Sequence, residues 1–216
     1  MNHISKSFDD MLVLSNLNFC AQKGEIHGII GGNAAGKSTL AEILAGITQP
    51  DSGEVLLDGK TVRLKTRSDS QKAGICMAFH QIELFPDLTI FENIALGKEN
   101  SMYGRRVFMP SRKQMVKEAQ SVMDELGLCL DPHQKVTGLS EGERLLIQLA
   151  RTVIGNPQII ILDEVTALLT SYEIENVFRL LHRLRAEGKC ILVISHQIEY
   201  LLGHCDRISI LKDGAI

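Results

Sequence analysis

The residues Gly31-Gly32-Asn33-Ala34-Ala35-Gly36-Lys37-Ser38 carry the spacing G-x-x-x-x-G-K-[ST] and are followed by Thr39. Each fixed position has a chemical reason. Glycine at 31 and 36 lets the backbone curl until successive N–H groups face one anion, and a helix starting near Lys37 adds its positive end. Lys37 reaches the β- and γ-phosphates, and the Ser38 hydroxyl can ligate Mg²⁺. The bland reading is a glycine-rich turn that happens to precede a lysine. An apolar strand before the motif and a helix-like LAEILAG after it supply the context that a phosphate loop requires.

Phosphate chemistry also needs a carboxylate for the metal and a group to activate water. Ile159-Ile160-Ile161-Leu162-Asp163-Glu164 offers both. The apolar run predicts a buried strand, and its acids fall at the C-terminal end, where open α/β sheets bind ligands. Asp163 would hold Mg²⁺ through water, and Glu164 would orient or deprotonate the attacking water. Alone, the pair is equally well read as a helix cap after a core strand. A second acidic stretch, Leu139-Ser140-Glu141-Gly142-Glu143-Arg144, stands just ahead of an apolar run. Ser140 and Glu143 have capping-box spacing, which accounts for Glu143. The same helix start could meet an anion through Ser140 and the Gly142 amide, provided Glu141 points away.

The surrounding elements are legible in outline. Met11 to Phe19 is partly alternating and suits a strand, Glu25 to Ile30 is a short apolar strand, and Gly46 suits the C-cap of the helix after the phosphate loop. Pro50 to Lys60 reads as turn, strand, turn, and Ile75 to Phe79 as another strand. Ser111 and Gln114 form a predicted capping box for a helix whose Met115, Ala119, Val122, Met123 and Leu126 share a face. Ser140 opens the next helix. Gln158 to Leu162 is the most apolar strand, Thr170 to Gly188 a long helix boxed by Thr170 and Glu173, and Cys190 to Ile194 and Arg207 to Leu211 are further strands. Strands alternating with helices predict an α/β fold with a mostly parallel sheet. The mainly helical stretch from about 82 to 155 is expected to be an inserted helical subdomain of a single domain spanning 1–216.

Composition narrows the function class. The chain has 216 residues, 44% of them hydrophobic and 23% charged, with a formal net charge of -3. That balance argues against a dedicated nucleic-acid binder. The five cysteines lack CxxC spacing, which reads as reduced thiols. No apolar run approaches the roughly 18 residues of a membrane span, and the N-terminus has no signal-peptide core, so a soluble chain is expected. His27, His80, His133, His182 and His204 have no supporting ligands in sequence, and no metal site is assigned to them.

The ordered set of phosphate loop, Gln81, LSEGE, ILDE and His196 resembles the nucleotide-binding subunit of ATP-binding cassette (ABC) transporters over nearly the whole chain. ISKSF, GEIHGIIGGNAAGKSTL, TQPDSGEVLLDGK, AFHQ, LTIFENIALG and DRISILKDG narrow the resemblance to ribose- and galactose-type sugar importers, whose pattern nucleoside importers largely share. Those ATPases usually carry two fused cassettes, and this chain looks like the N-terminal one. The resemblance implies a P-loop NTPase core, mostly parallel with an antiparallel portion, plus the helical subdomain. It implies ATP and Mg²⁺ as ligands, the latter on Ser38, Gln81 and Asp163. By position, Phe8 stacks on adenine, and Gly31, Gly32, Asn33, Ala34, Ala35, Gly36, Lys37, Ser38 and Thr39 bind the nucleotide. Glu164, His196 and Gln81 serve catalysis. Ser140, Glu141, Gly142 and Glu143 form the signature that meets ATP held by another cassette, and Ala167 to Thr170 crosses the dimer interface. Judged without the family, Phe8 is as well placed in a core, and His196 reads as a hydrogen-bonded structural residue. Phe85, Pro86 and Leu88 either line a permease groove or pack inside the helical subdomain.

The resemblance further implies a second cassette, a transmembrane permease and, indirectly, a solute-binding protein as partners, with no nucleic acid. The chain would then be cytoplasmic, held at the inner face of the cell membrane by its permease. Several positions depart from the family. Ala34 replaces the usual middle glycine, Val165 the proline after the catalytic glutamate, ALLT the usual serine-alanine-leucine start, and the stretch from Gln81 to Pro86 is one residue short. The chain begins close to ISKSF and stops at KDGAI, which fits a fragment, an engineered truncation or a half-size gene. Rival readings are a nucleoside importer, an ABC ATPase acting on nucleic acid or ribosomes, and a regulatory cassette that no longer hydrolyses. The second needs coiled coils, zinc insertions or basic linkers, none visible in the sequence.

Overall fold

The computed structural model describes residues 1–9, 11–79, 81–96 and 112–216. Ser111, the expected cap of the helix at 112, lies outside the described residues, as do His80 and Gly97. The chain forms two compact units, one built from 1–77, 158–164 and 184–216 and the other from 78–157 and 165–183.

The first unit holds two sheets. Strands β1 (Asn2–Phe8), β2 (Met11–Leu17), β4 (Ser52–Leu57) and β5 (Lys60–Val62) form an antiparallel sheet in the order β2-β1-β4-β5. The β4–β5 hairpin turns through Asp58 (φ 49°) and Gly59 (φ 75°). Left-handed residues at both central positions match the twist of the flanking strands, which is why Asp-Gly ends this hairpin. The second sheet has the order β6-β7-β8-β3-β9, from β6 (Ile75–Ala78), β7 (Ile159–Asp163), β8 (Cys190–Ile194), β3 (Glu25–Gly31) and β9 (Arg207–Leu211). The pairings β7–β8, β8–β3 and β3–β9 are parallel. Strand β8, all apolar and buried at every residue, has the pattern of a parallel strand covered on both faces.

Helix α1 (Lys37–Leu44) follows β3, and its Leu40, Ala41, Ile43 and Leu44 join a core with Ile4, Leu14, Leu17, Ile29, Ile161, Leu192, Ile194 and Leu211. The helix stops where the sequence places its glycine. Gly46 has φ 69°, its N–H donates to the Ile43 carbonyl, and the Ile47 N–H donates to the Glu42 carbonyl. That paired pattern satisfies the last carbonyls of the helix. Helices α2 (Arg67–Lys72) and α7 (Ile198–His204) complete the first unit.

The second unit is helical. Its elements are α3 (Ile90–Ala95), α4 (Arg112–Glu125), a 3₁₀ turn at Val136–Gly138, α5 (Glu141–Val153) and α6 (Ser171–Ala186) through Arg183. Ala119, Met123 and Leu126, from the predicted face of α4, are buried, while Met115 and Val122 are half-buried. Capping boxes start α3 (Thr89, Glu92), α5 (Ser140, Glu143) and α6 (Thr170, Glu173). Strands β1 and β5 and helices α2, α3 and α7 were not anticipated by sequence pattern. The last three are only six or seven residues long, too short for a helical period to declare itself. Among the described residues, no helix is long and apolar enough to cross a membrane.

One partly buried polar cluster ties the two ends of the first unit's sequence together. Arg207 on β9 grips Glu25 on β3 with Nε at 2.7 Å and a second nitrogen at 3.1 Å, and the same nitrogen donates to the Cys20 carbonyl at 2.8 Å. His27 lies beside them, 1% exposed, with Nε2 2.8 Å from the Ser209 hydroxyl and its ring stacked on Phe19. Burial first, then the Arg207 charge, holds His27 below its ordinary value of 6.5, with Glu25 opposing. The unfolded chain therefore takes up this proton before the folded chain does as pH falls, and the folded state loses stability. The melting temperature should fall between about pH 7 and pH 5. His27→Gln should flatten that slope, as thermal denaturation at both pH values would show; an equally steep slope in the variant would assign the loss to other groups.

Candidate nucleotide site

The phosphate loop leaves β3 at Gly31, where the strand runs against β9. A Cβ on Gly31 would stand 2.3 Å from the Leu211 carbonyl oxygen, so no side chain fits. Gly36 is equally constrained, with φ 98°, and a Cβ on it would stand 2.6 Å from Leu14 Cδ2. Gly32 differs, because a Cβ there meets no atom within 4 Å. Ala34 takes φ 60°, a left-handed conformation that costs an ordinary L-residue roughly 1–2 kcal/mol. The usual family glycine would adopt it without that strain.

Helix α1 starts from Gly36 with no side-chain cap. The first N–H groups of a helix have no partner within it, so this end offers donors and positive potential to an anion. Lys37 is buried to 8% exposure, and its ammonium donates to the carbonyls of Gly31 (2.9 Å) and Gly32 (3.0 Å). Those bonds fold the lysine back over the loop. Gly32, Asn33, Ala34 and Ser38 are exposed, Ala35 and Thr39 half-buried.

The acids stand at the same end of the parallel sheet. Asp163 closes β7 at 2% exposure, with its Cα paired to Ile194 at the end of β8. Glu164 follows with φ 54°. Its N–H donates to the Ile194 carbonyl at 2.9 Å, and its Oε2 lies 2.7 Å from His196 Nδ1. The strained backbone is thus fixed from both sides, as is common where a side chain must be aimed. In the strand order β7-β8-β3, Glu164 and His196 leave neighbouring strands, and the phosphate loop leaves the next. The donor set suits the expected ligands. The Ser38 hydroxyl and the Asp163 carboxylate are hard oxygen ligands of the kind Mg²⁺ takes beside phosphate oxygens. Among the described residues, no group of three or more His, Cys, Asp or Glu side chains could hold a metal unaided.

The ABC transporter sequence pattern matches residues 14–167, most of the chain. The chain belongs to the ABC transporter family. Among its relatives, the ribose import ATP-binding protein RbsA of Chromobacterium violaceum is 39% identical over 215 residues, covering 99% of this chain and 42% of the relative. The arabinose import ATP-binding protein AraG of Rhizobium johnstonii is 35% identical over 215 residues, covering 100% of this chain and 42% of the relative. The cassette thus spans about two-fifths of the length of these curated relatives. A nucleotide-free ATP-binding cassette from an ABC transporter superposes with a TM-score of 0.86 at 26% identity, covering 100% of this chain and 87% of that one. A dimeric bacterial ABC transporter cassette gives 0.85 at 27% identity, covering 100% and 94%.

The other expected residues of the cassette fall as follows. Phe8 ends β1, 42% exposed, with the Lys6 ammonium 5.2 Å from its ring centre, so it is not a core residue. Such an exposed aromatic face remains available for stacking. Gln81 is exposed. Phe85 is 50% exposed and Pro86 also exposed, so neither packs inside the helical unit, whereas Leu88 is half-buried. Ser140 caps α5: its hydroxyl donates to Glu143 Oε2 at 2.9 Å and accepts the Glu143 N–H at 3.2 Å. Glu141 is exposed and Gly142 half-buried, with a Cβ at 142 only 3.4 Å from Glu173 Oε1 and from the Leu168 carbonyl. Ala167, Leu168 and Thr170 are exposed.

The two first glycines of the loop should respond oppositely to the same change. Gly31→Ala forces β3 and β9 apart and should cost about 2 kcal/mol or more of stability. Gly32→Ala meets open space and should change stability by no more than about 0.5 kcal/mol. Urea unfolding of both variants checks this, and equal losses would mean the β3–β9 approach is not the constraint.

Proposed function

We propose that this chain is the ATP-binding and hydrolysing cassette of a membrane importer for a sugar, working as one half of a head-to-tail pair of cassettes that closes over two ATP molecules. The observation that carries the proposal is the shared end of the parallel sheet. There, an uncapped helix start and a buried lysine follow β3, and a carboxylate pair and a histidine stand where the neighbouring strands end. The ribose and arabinose import proteins among its relatives support a sugar as cargo.

Lys37 gives up its two carbonyls and turns to the β- and γ-phosphates, while the amides of the loop and of the first turn of α1 hold phosphate oxygens. Phe8 stacks on the adenine. Ser38 and Asp163 would hold Mg²⁺, with Gln81 beside the metal and the attacking water. Held there, Mg²⁺ would supply positive charge against the phosphate oxygens. Glu164 orients that water and takes its proton as oxygen attacks phosphorus and the bond to the ADP oxygen breaks. His196 releases Glu164 and donates to a γ-phosphate oxygen. Ser140 and Gly142 meet the γ-phosphate held by the other cassette, with Glu141 and Glu143 turned from it. Ala167 to Thr170 lies in the contact between cassettes. The transmembrane permease docks by way of the segment from Gln81 to Asn93, with a solute-binding protein delivering cargo on the far side.

Glu164→Gln keeps the size of the side chain and removes its base. It should retain ATP binding, trap an ATP-dependent pair of cassettes on size exclusion, and lower turnover by about 100-fold or more. An enzyme with unchanged turnover would refute the role of Glu164. Ser140→Arg should abolish turnover while single-chain ATP affinity stays within about threefold, because the residue acts on the partner's nucleotide; lost binding would show that Ser140 serves its own chain's ATP.

A further inference from the structure

We propose that Gln148 is a positioning residue for Gln81, locking the loop that carries Gln81 to the helix that carries Ser140 and Gly142. The proposal rests on the role given to Gln81 above and adds the residue that holds it. Gln148 lies on α5, 5% exposed, inside the otherwise apolar run Leu145-Leu146-Ile147-Gln148-Leu149-Ala150. A buried amide in such a run needs partners for each of its polar atoms. It finds all of them in the backbone after β6. Its Nε2 donates to the carbonyls of Phe79 (2.7 Å) and Gln81 (3.2 Å), and its Oε1 accepts the Glu83 N–H (2.7 Å). This pattern also fixes the amide orientation, since two carbonyls face the NH₂ group and one N–H faces the oxygen.

The chemistry selects glutamine. An ionised glutamate has no donor for two carbonyls, methionine has neither donor nor strong acceptor, and asparagine is one methylene shorter. Arg151, one turn further along the same face of α5, donates to the Glu83 carbonyl at 3.1 Å. The far end of the segment is held by a second buried amide. Asn93, 0% exposed, accepts the Phe85 N–H at 2.8 Å and donates to the carbonyls of Phe85, Leu88 and Thr89. Among the described residues, the stretch from 81 to 89 has almost no ladder or helix bonds of its own, so these side chains set its path. Gln81 thereby moves with α5: a displacement of the helix start at Ser140 is carried along one rigid helix to the backbone of Gln81.

The test uses the full-length protein that carries this chain. Gln148→Met keeps length and removes every hydrogen bond, and Gln148→Asn keeps the amide but withdraws it, serving as the milder variant. Hydrogen exchange at the amides of Gln81 to Glu83 should quicken about tenfold in Gln148→Met while α5 stays protected. Turnover at saturating Mg-ATP should fall about tenfold with KM for ATP within about twofold, and Gln148→Asn should lie between that variant and the parent. The pair Gln81→Ala, Gln148→Met should be no slower than Gln81→Ala alone, because one residue acts through the other. Multiplied losses in the pair, or full turnover in Gln148→Met beside an impaired Gln81→Ala, would overturn the proposal. Full turnover in Gln81→Ala would overturn the catalytic role of Gln81 and the positioning claim together, and that single variant tells this failure from the other.

Discussion

The close approach of β3 to β9 at Gly31 is the constraint on which the phosphate loop depends. The strand pairs with β9 up to Gly31 and Leu211, and the backbone there leaves no room for a Cβ. That contact fixes where the chain leaves the sheet. Gly36, in the left-handed region, then fixes where it enters α1. Between two such fixed points the intervening residues have little choice of path, and even Ala34 accepts a strained φ. The core beneath, formed by Leu40, Ala41, Ile43 and Leu44 against Ile29, Ile161 and Ile194, prevents the helix from relaxing away. Precision at the loop is therefore a packing property of the strand and helix on either side.

Charge follows the same logic. Helices α3, α5 and α6 each begin with a threonine or serine and an acid that satisfies the first amides reciprocally. Helix α1 begins with glycine and has no such cap. A helix of eight residues with an unsatisfied start would be marginal alone. Its burial against the sheet offsets that weakness and leaves donors available to a ligand. Glu164 is treated similarly, with its unfavourable backbone angle offset by the Ile194 and His196 contacts.

Much of the site was legible because its motifs are contiguous and lie where an apolar strand ends. The phosphate loop, the Asp163-Glu164 pair and the Ser140 cap all combine residue type with a period or spacing that sequence records directly. What could not be read depends on long-range approach. Nothing in the residue types announces that Glu164 takes a positive φ, that Lys37 folds back onto Gly31 and Gly32, or that His196 reaches Glu164 from the adjacent strand. Strand β1 is not legible because its polar residues, Asn2, His3, Ser5, Lys6 and Ser7, dilute the apolar alternation while the pairing with β2 carries bulges. Gln148 left a faint signal, a lone amide within an apolar helical run, but its partners some 65 to 69 residues away become visible only in three dimensions.

The reciprocal cap on α5 has a consequence for selectivity. In the single chain, the Ser140 hydroxyl and N–H both donate to the Glu143 carboxylate, the Glu143 N–H is taken by Ser140 Oγ, and the neighbouring carboxylates repel a passing anion. Helix starts elsewhere in proteins gather sulfate or inorganic phosphate readily. This one carries two carboxylates in its first turn and is less inviting to them. An anion that exchanges places with Glu143 must gain enough from other contacts to offset the lost cap. Under the pairing of cassettes proposed above, the cap would act as a threshold, favouring a nucleotide presented by a docked partner over the phosphate pool of the surroundings.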